Sequence, residues 1–250
     1  MNTQLVVGAI VDYRYDYVLV ALSFVISVLG SYVALSLASS AGKNGDSTFG
    51  PAIALGGCAI WSMHFIGMTA YKTQLYVSYA IVPAALSLVI AILITAIGFK
   101  LAARGPDKLL NLVQGGLVIG AGVVAMHYLG MFGIETRATI QWDFAIVAAS
   151  VAIAMVAATV ALWLAFNVRS ALQRVLAASV MGVAVCAMHY TAMAAAKLVC
   201  IERASRGEFS VDGPYLPYVT FFIALVALGG ALAFRRMDDT VAPAAAMRRA

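Results

Sequence analysis

The stretch AMHYLGM, residues Ala125 to Met131, sets an imidazole in an otherwise apolar run and brackets it with two thioethers. Two further versions occur: WSMHFIGM (Trp61–Met68) and CAMHYTAM (Cys186–Met193). Their histidines, His64, His127 and His189, lie 63 and 62 residues apart and are the only three in the chain. The residues between them repeat as well. SFVIS at Ser23, SLVIA at Ser87 and SVAIA at Ser150 recur 64 and 63 residues apart. The repeating unit is a pair of helices used three times, with one helix left over.

Composition gives the environment of these helices. Of 250 residues, 63% are hydrophobic and 11% charged, with mean hydropathy +0.95. A soluble domain of this size carries about a quarter charged residues, so the sequence reads as a polytopic membrane protein. Seven apolar spans can be marked: Tyr17–Ala38, Gly50–Tyr71, Tyr79–Phe99, Leu109–Phe132, Phe144–Phe166, Val175–Lys197 and Tyr218–Phe234. Helices are the expected form, because an unclosed strand leaves backbone groups unpaired in lipid. Breaks such as Gly42–Asp46 and Arg104–Asp107 are turn chemistry. The expected fold is an all-α membrane protein of seven transmembrane helices, three tandem two-helix repeats plus one C-terminal helix. The expected division is an extracytoplasmic segment at 1–16, a membrane domain at 17–234 and a short cytoplasmic tail at 235–250.

Orientation follows from the basic residues. One side carries Lys43, Lys100, Arg104, Lys108, Arg169, Arg174, Arg235, Arg236, Arg248 and Arg249, ten in all; the other carries Arg14, Lys72, Arg137, Lys197, Arg203 and Arg206. The richer side is expected to be cytoplasmic, with the N-terminus outside and the C-terminus inside. The first sixteen residues lack the basic start and cleavage site of a signal peptide. Tyr13, Tyr15, Tyr17, Tyr71, Tyr76, Tyr79, Tyr215 and Tyr218 fall on the outer side, as an interfacial aromatic belt does. No basic run interleaved with aromatics points to nucleic acid.

Two crossings per unit return each copy to the same orientation, so spans two, four and six run parallel and carry their histidines to one depth. His and the Met four residues on, at Met68, Met131 and Met193, lie about 40° apart around a helix and share a face. The preceding Met63, Met126 and Met188 lie about 100° away. Gly57, Gly120 and Gly182, seven residues before each histidine, stack about 20° from it and favour close helix approach.

Imidazole with thioether is a ligand chemistry. Thioether sulfur is soft and suits Cu(I), and imidazole suits copper, zinc and iron. Zinc sites usually add thiolate or carboxylate, which these motifs do not supply consistently. Copper is the favoured cofactor, with Cys186 near the face of His189 as a further ligand and haem, on two axial histidines, as the alternative. A lone histidine between methionines is more often a packed core residue. Here Met, His, the second Met and the glycine are identical in all three copies while their surroundings differ. An ionisable group inside a span is a functional hypothesis by default. Tyr128 and Tyr190 follow the histidines but Phe65 replaces the first, so the aromatic reads equally well as interfacial packing. Trp61 reads as packing, Ser23, Ser87 and Ser150 as helix-packing hydroxyls, and Cys200 as an unpaired loop thiol. No span holds an interior Asp, Glu, Lys or Arg, which disfavours a transporter, although a channel admitting metal stays open. A redox protein is the other class.

Three MHY-type motifs in alternate helices of a seven-span bundle resemble the MHYT domain family of bacterial integral-membrane sensor domains, over Tyr17 to Phe234. The resemblance implies a domain in the bacterial cytoplasmic membrane that binds copper near its outer face and senses O2, CO or NO. It implies ligand positions at Met63, His64 and Met68, at Met126, His127 and Met131, and at Met188, His189 and Met193. Phe65 departs from the family pattern. Family members are often fused to cyclic-di-GMP turnover, histidine-kinase or DNA-binding domains. Residues 235–250 are too short for any of these, so output through a separate signalling partner is expected, with the lipid bilayer as the other partner.

Overall fold

The computed structural model describes residues 6–41, 48–202 and 209–247. Seven helices form in order: α1 Tyr17–Ala41, α2 Phe49–Ala70, α3 Ile81–Ala102, α4 Leu109–Phe132, α5 Phe144–Asn167, α6 Ala171–Ala194 and α7 Leu216–Met247. The first six are long and apolar enough to cross a membrane, and the apolar part of the seventh, Leu216–Ala231, is shorter. The chain is a multi-pass, all-α membrane protein. Its exposed surface is apolar as lipid contact requires: on α3, Val82, Leu86, Val89, Leu93 and Ile97 all face outward.

Capping chemistry fixes the helix starts. Asp143 accepts from the backbone N–H groups of Ala145 and Ile146 at the head of α5, and Asp16 does the same for Val18 and Leu19 at the head of α1. Ser170 and Gln173 form a capping box, so α6 starts at Ala171 rather than Val175. The helix α7 continues past Phe234 to Met247, through Arg235 and Arg236 and beyond the expected span. Lys43, Arg203, Arg206, Arg248 and Arg249, and the turn at Gly42–Asp46, lie outside the described residues.

Seven short strands, which apolar periodicity does not reveal, cap one end of the bundle. They are β1 Tyr13–Tyr15, β2 Tyr71–Thr73, β3 Val77–Ala80, β4 Ile134–Thr136, β5 Ala138–Trp142, β6 Ala196–Cys200 and β7 Ser210–Asp212. Pairing is antiparallel: β1 with β2, β3 with β4, β5 with β6, and β7 on the free edge of β3. Each repeat is therefore strand–helix–helix–strand, with its two strands bonded to each other. Residues before β1 cross to the third repeat, where Val11 N–H donates to Leu198 C=O at 2.8 Å.

Around the bundle axis, α2, α4 and α6 form an inner set and α1, α3 and α5 an outer one. Of the six long helices, α2 is the most enclosed, 89% of its apolar window being buried, because α7 packs over it together with α1. Its first half also departs from α geometry. Ile53–Ser62 winds as a π-helix, and the Ser62 hydroxyl donates to Gly57 C=O five residues back at 2.9 Å. One extra residue is thereby taken into the helix before the histidine.

A buried imidazole trio as candidate metal centre

The inner helices carry His64, His127 and His189 to one level, and each is 1% exposed. His64 Nδ1 lies 3.1 Å from His127 Nδ1 and 3.2 Å from His189 Nδ1. Ring centroids are 4.7, 5.1 and 5.2 Å apart, with every pair edge-on. One ring nitrogen from each residue falls within 4.8 Å of the others, and all three Nε2 atoms lack a hydrogen-bond partner. Donors bound at about 2.0 Å to one tetrahedral ion are about 3.3 Å apart, so the two short separations match ligands of a single ion. The convergence expected from the parallel spans is present.

Small residues make this approach possible. A Cβ on Gly67 would stand 2.5 Å from His189 Nε2, and one on Gly130 would collide with His64 Nε2. The glycine three residues after a histidine thus clears the backbone of α2 for the imidazole of α6, and that of α4 for the imidazole of α2. The third copy carries Ala192 at this position.

The aromatic and serine positions lock the repeats together. Ser23, Ser87 and Ser150 each donate to the carbonyl three residues back at 2.7 Å, to Val20, Ala84 and Val147. Their oxygens are then free to accept. Tyr190 O–H donates to Ser23 and Tyr128 O–H to Ser150, each at 2.9 Å. In the first copy Trp61 Nε1–H donates to Ser87 at 2.9 Å, the part that Phe65 cannot play. Inner helices α2, α4 and α6 are therefore tied in turn to outer helices α3, α5 and α1, and the ring closes. Trp61 is a positioning residue rather than filler, and Tyr128 and Tyr190 direct their hydroxyls at serines rather than at the trio.

A second aromatic ring packs edge-on against the residue after each histidine. Phe65 meets Tyr79 edge-on at 6.3 Å, Tyr128 meets Trp142 at 5.3 Å and Tyr190 meets Tyr15 at 5.6 Å. These cap aromatics stand eight residues before Ser87, Ser150 and Ser23, a repeat present in the sequence itself. At the N-terminal corner, Tyr13 stacks on Tyr71 at 4.3 Å. Burial, reinforced by the neighbouring phenols, pushes Tyr15 and Tyr71 well above their ordinary values and keeps both neutral.

The expected glycines divide. A Cβ on Gly120 would lie 2.9 Å from Met155 Cα, and one on Gly182 would lie 2.6 Å from Val28 Cγ2, so both sit against outer helices. A Cβ on Gly57 would make only ordinary contacts, the nearest at 3.5 Å; one on Gly56 would instead stand 2.5 Å from the Ala91 carbonyl oxygen. The π-turn accounts for the shift, since its extra residue moves the contact from seven to eight positions before the histidine.

All six motif methionines are buried, at 4% exposure or less. Met68, Met131 and Met193 line one common cavity under the strand cap. Met188 faces a separate apolar cavity beside Ala154 and Ala158 of α5. Met63 and Met126 are enclosed, Met126 within the main apolar core. Among the described residues the three histidines alone form a metal-ligating group, and Cys186 stands beside Ser23 instead. Cys58 packs with Ile26, Ile66 and Ala224, and Cys200 with Val11 and Leu198 under the cap.

The profile of the MHYT family, described as a bacterial signalling protein N-terminal repeat, matches residues 57–115, 120–178 and 182–247. Each match starts at the glycine of an inner helix and takes in the whole of the next helix or most of it, the first two ending inside the following inner helix, which makes α7 the last member. In space α1 takes the place beside α6 and α7 packs on α2. The bifunctional diguanylate cyclase/cyclic di-GMP phosphodiesterase MucR of Pseudomonas aeruginosa is 34% identical over 235 residues, covering 90% of this chain and 34% of the relative. The cyclic di-GMP phosphodiesterase NbdA of the same organism is 32% identical over 194 residues, 72% of this chain and 24% of its own length. The signaling protein YkoW of Bacillus subtilis is 28% identical over 194 residues, 73% of this chain and 24% of its own. This chain thus spans about a third or less of these relatives. No solved structure matches it. Three profile matches across most of the chain, each holding one histidine of the trio, make this protein a member of the MHYT family of bacterial signalling repeats.

Proposed function

We propose that this chain is a sensing unit of the bacterial cytoplasmic membrane, with the strand cap at the outer face, and that His64, His127 and His189 together hold one copper ion. The observation that carries the reading is the convergence of one ring nitrogen from each of three buried histidines. The donor set is three neutral imidazoles, which suits copper better than zinc in the absence of thiolate or carboxylate. Ring nitrogens 3.1–3.2 Å apart leave no slot for a porphyrin, which argues against haem. When bound, copper would supply a redox change and a position for a diatomic ligand, so the signal is O2, CO, NO or copper itself. The chain's own part is to hold and orient the imidazoles through the serine–aromatic ring and to exclude water from them.

Output is proposed to be a change in cyclic di-GMP turnover, as the names of MucR and NbdA suggest, supplied by polypeptide beyond these 250 residues. The route is α7, which packs on the helix bearing His64 and extends beyond its apolar part. The test is metal analysis and a visible spectrum of the detergent-purified protein after copper supplementation. It is repeated on His64→Ala, His127→Ala and His189→Ala. Each variant is expected to lose the copper. Wild-type protein without bound metal, or variants with undiminished copper, overturns the reading.

A further inference from the structure

From each histidine a file of aromatic rings leads toward the strand cap, and the three files end differently. The first runs from His64 to Phe65 at 4.8 Å and to Tyr79 at 6.3 Å, and ends on a ring only 5% exposed. The second runs from His127 to Tyr128 at 5.0 Å and to Trp142 at 5.3 Å, with no further ring contact among the described residues. The third continues. His189 meets Tyr190 at 4.8 Å, Tyr190 meets Tyr15 at 5.6 Å, and Tyr15 touches Tyr71 at 5.7 Å and Tyr13 at 5.6 Å. Tyr13 is 51% exposed and, with Tyr15, lines an open pocket of about 740 Å3. That volume lies in the range of small-ligand sites. Arg14 and Lys72 line the same pocket and stand directly opposite each other across the β1–β2 pair. Like charges in that position repel, and a small anion between them relieves the repulsion.

We propose that the rings of Tyr190, Tyr15 and Tyr13 carry electrons between a metal held by the imidazole trio and a small anionic one-electron carrier docked between Arg14 and Lys72. The proposal rests on the copper reading above and gives it an outer terminus. One electron passes between carrier and metal, oxidising one and reducing the other, with no bond made or broken and no proton moved. Edge-on rings at these separations are in contact, which shortens each gap that an electron must tunnel across. Tyr190 O–H donates to Ser23, whose own proton goes to Val20 C=O. No base there accepts the phenol's proton, so the ring bridges rather than stores charge. Tyr15, Tyr79 and Trp142 hold equivalent places against the three repeats. Packing is therefore common to all three, and the exit to an exposed tyrosine belongs to Tyr15.

The probe is hexacyanoferrate(III), an anionic one-electron oxidant, mixed by stopped flow with the copper(I)-loaded, detergent-solubilised full chain. Its bleaching gives a rate that is expected to saturate with probe concentration. Tyr15→Leu is expected to lower the limiting rate about tenfold or more, leaving the half-saturating concentration and the copper content unchanged. Tyr15→Phe, which keeps the ring, is expected to keep the rate. Tyr79→Leu removes the equivalent ring of another repeat and is expected to stay within about twofold of wild type. The double variant Arg14→Gln, Lys72→Gln is expected to raise the half-saturating concentration at an unchanged limiting rate. In metal-free protein, calorimetry with hexacyanoferrate(II) is expected to show binding that the same double variant abolishes. If Tyr15→Leu does not fold, Tyr15→Ile, suited to a strand, takes its place. A limiting rate unchanged by loss of the Tyr15 ring overturns the proposal, as does equal slowing in Tyr79→Leu. Wild-type protein that binds no copper overturns the copper reading and the electron route together. Copper bound as in wild type, with a Tyr15 variant of normal rate, overturns the route alone.

Discussion

Alanine at Gly56 and at Gly57 should differ sharply although the two are neighbours. A Cβ on Gly56 stands 2.5 Å from the carbonyl oxygen of Ala91, 2.8 Å from its carbon and 3.1 Å from Ile92 Cα. All three are backbone atoms of α3 and cannot swing aside. Ordinary contact begins at 3.4 Å, so α2 and α3 must part by roughly 0.9 Å, and overpacking of this kind costs about 1–3 kcal/mol. A Cβ on Gly57 meets the ends of the Ile92 and Ala227 side chains at 3.5 and 3.6 Å and displaces nothing. Without strain, Gly→Ala stabilises by about 0.4–1 kcal/mol through the unfolded chain. The expected gap is about 1.5–4 kcal/mol in favour of Gly57→Ala. Gly120→Ala, whose Cβ meets Met155 Sδ at 2.7 Å, should resemble Gly56→Ala. Reversible denaturation in mixed micelles, followed by far-ultraviolet circular dichroism, measures the difference. A larger loss at Gly57 than at Gly56 would refute the π-turn and restore the regular seven-residue register of the other two copies.

Two further outcomes are expected. Gly67→Ala sets a Cβ 2.5 Å from His189 Nε2, so the ring must move by at least half an ångström. Metal–ligand distances tolerate only about 0.2 Å, so metal affinity should fall about 10–100-fold; a competition titration within threefold of wild type would contradict this. Trp61→Phe removes the donor to Ser87 and should cost about 0.6 kcal/mol, the mean for membrane-protein hydrogen bonds, and no more than about 1.7. Adding Phe65→Tyr puts the phenol where the other copies have it and should restore most of that loss; a double variant no more stable than the single one rules out the equivalence of the three locks.

Much of the centre was legible because repetition exposes it. Three histidines at matched spacing on parallel spans must reach one depth, whatever the packing, and the structure brings His64, His127 and His189 together. The aromatic that packs against the residue after each histidine was legible too, since Tyr15, Tyr79 and Trp142 stand eight residues before equivalent serines. The substitution of Trp61 for a tyrosine was not. An indole one turn earlier offers the same donor to the same hydroxyl, and residue-by-residue alignment of the copies hides that equivalence. The capping strands escaped notice because three-to-five-residue segments between long apolar spans carry no periodicity to read.

By itself, then, the sequence determined the class, the seven spans, the threefold repeat and the three histidines, because hydropathy and duplication are properties of the chain. Which groups meet was decided only in three dimensions. A single extra residue in the π-turn of α2 moves the packing glycine from 57 to 56. One turn of helix separates the thioethers of Met68, Met131 and Met193 from the imidazoles, and the strand cap closes a cavity around them. The seventh helix settles on α2, because α1 already occupies the place beside α6 to which its repeat frame assigns it. Spacing sets which face of a helix a side chain takes; the twist, register and neighbours of that helix set what it touches.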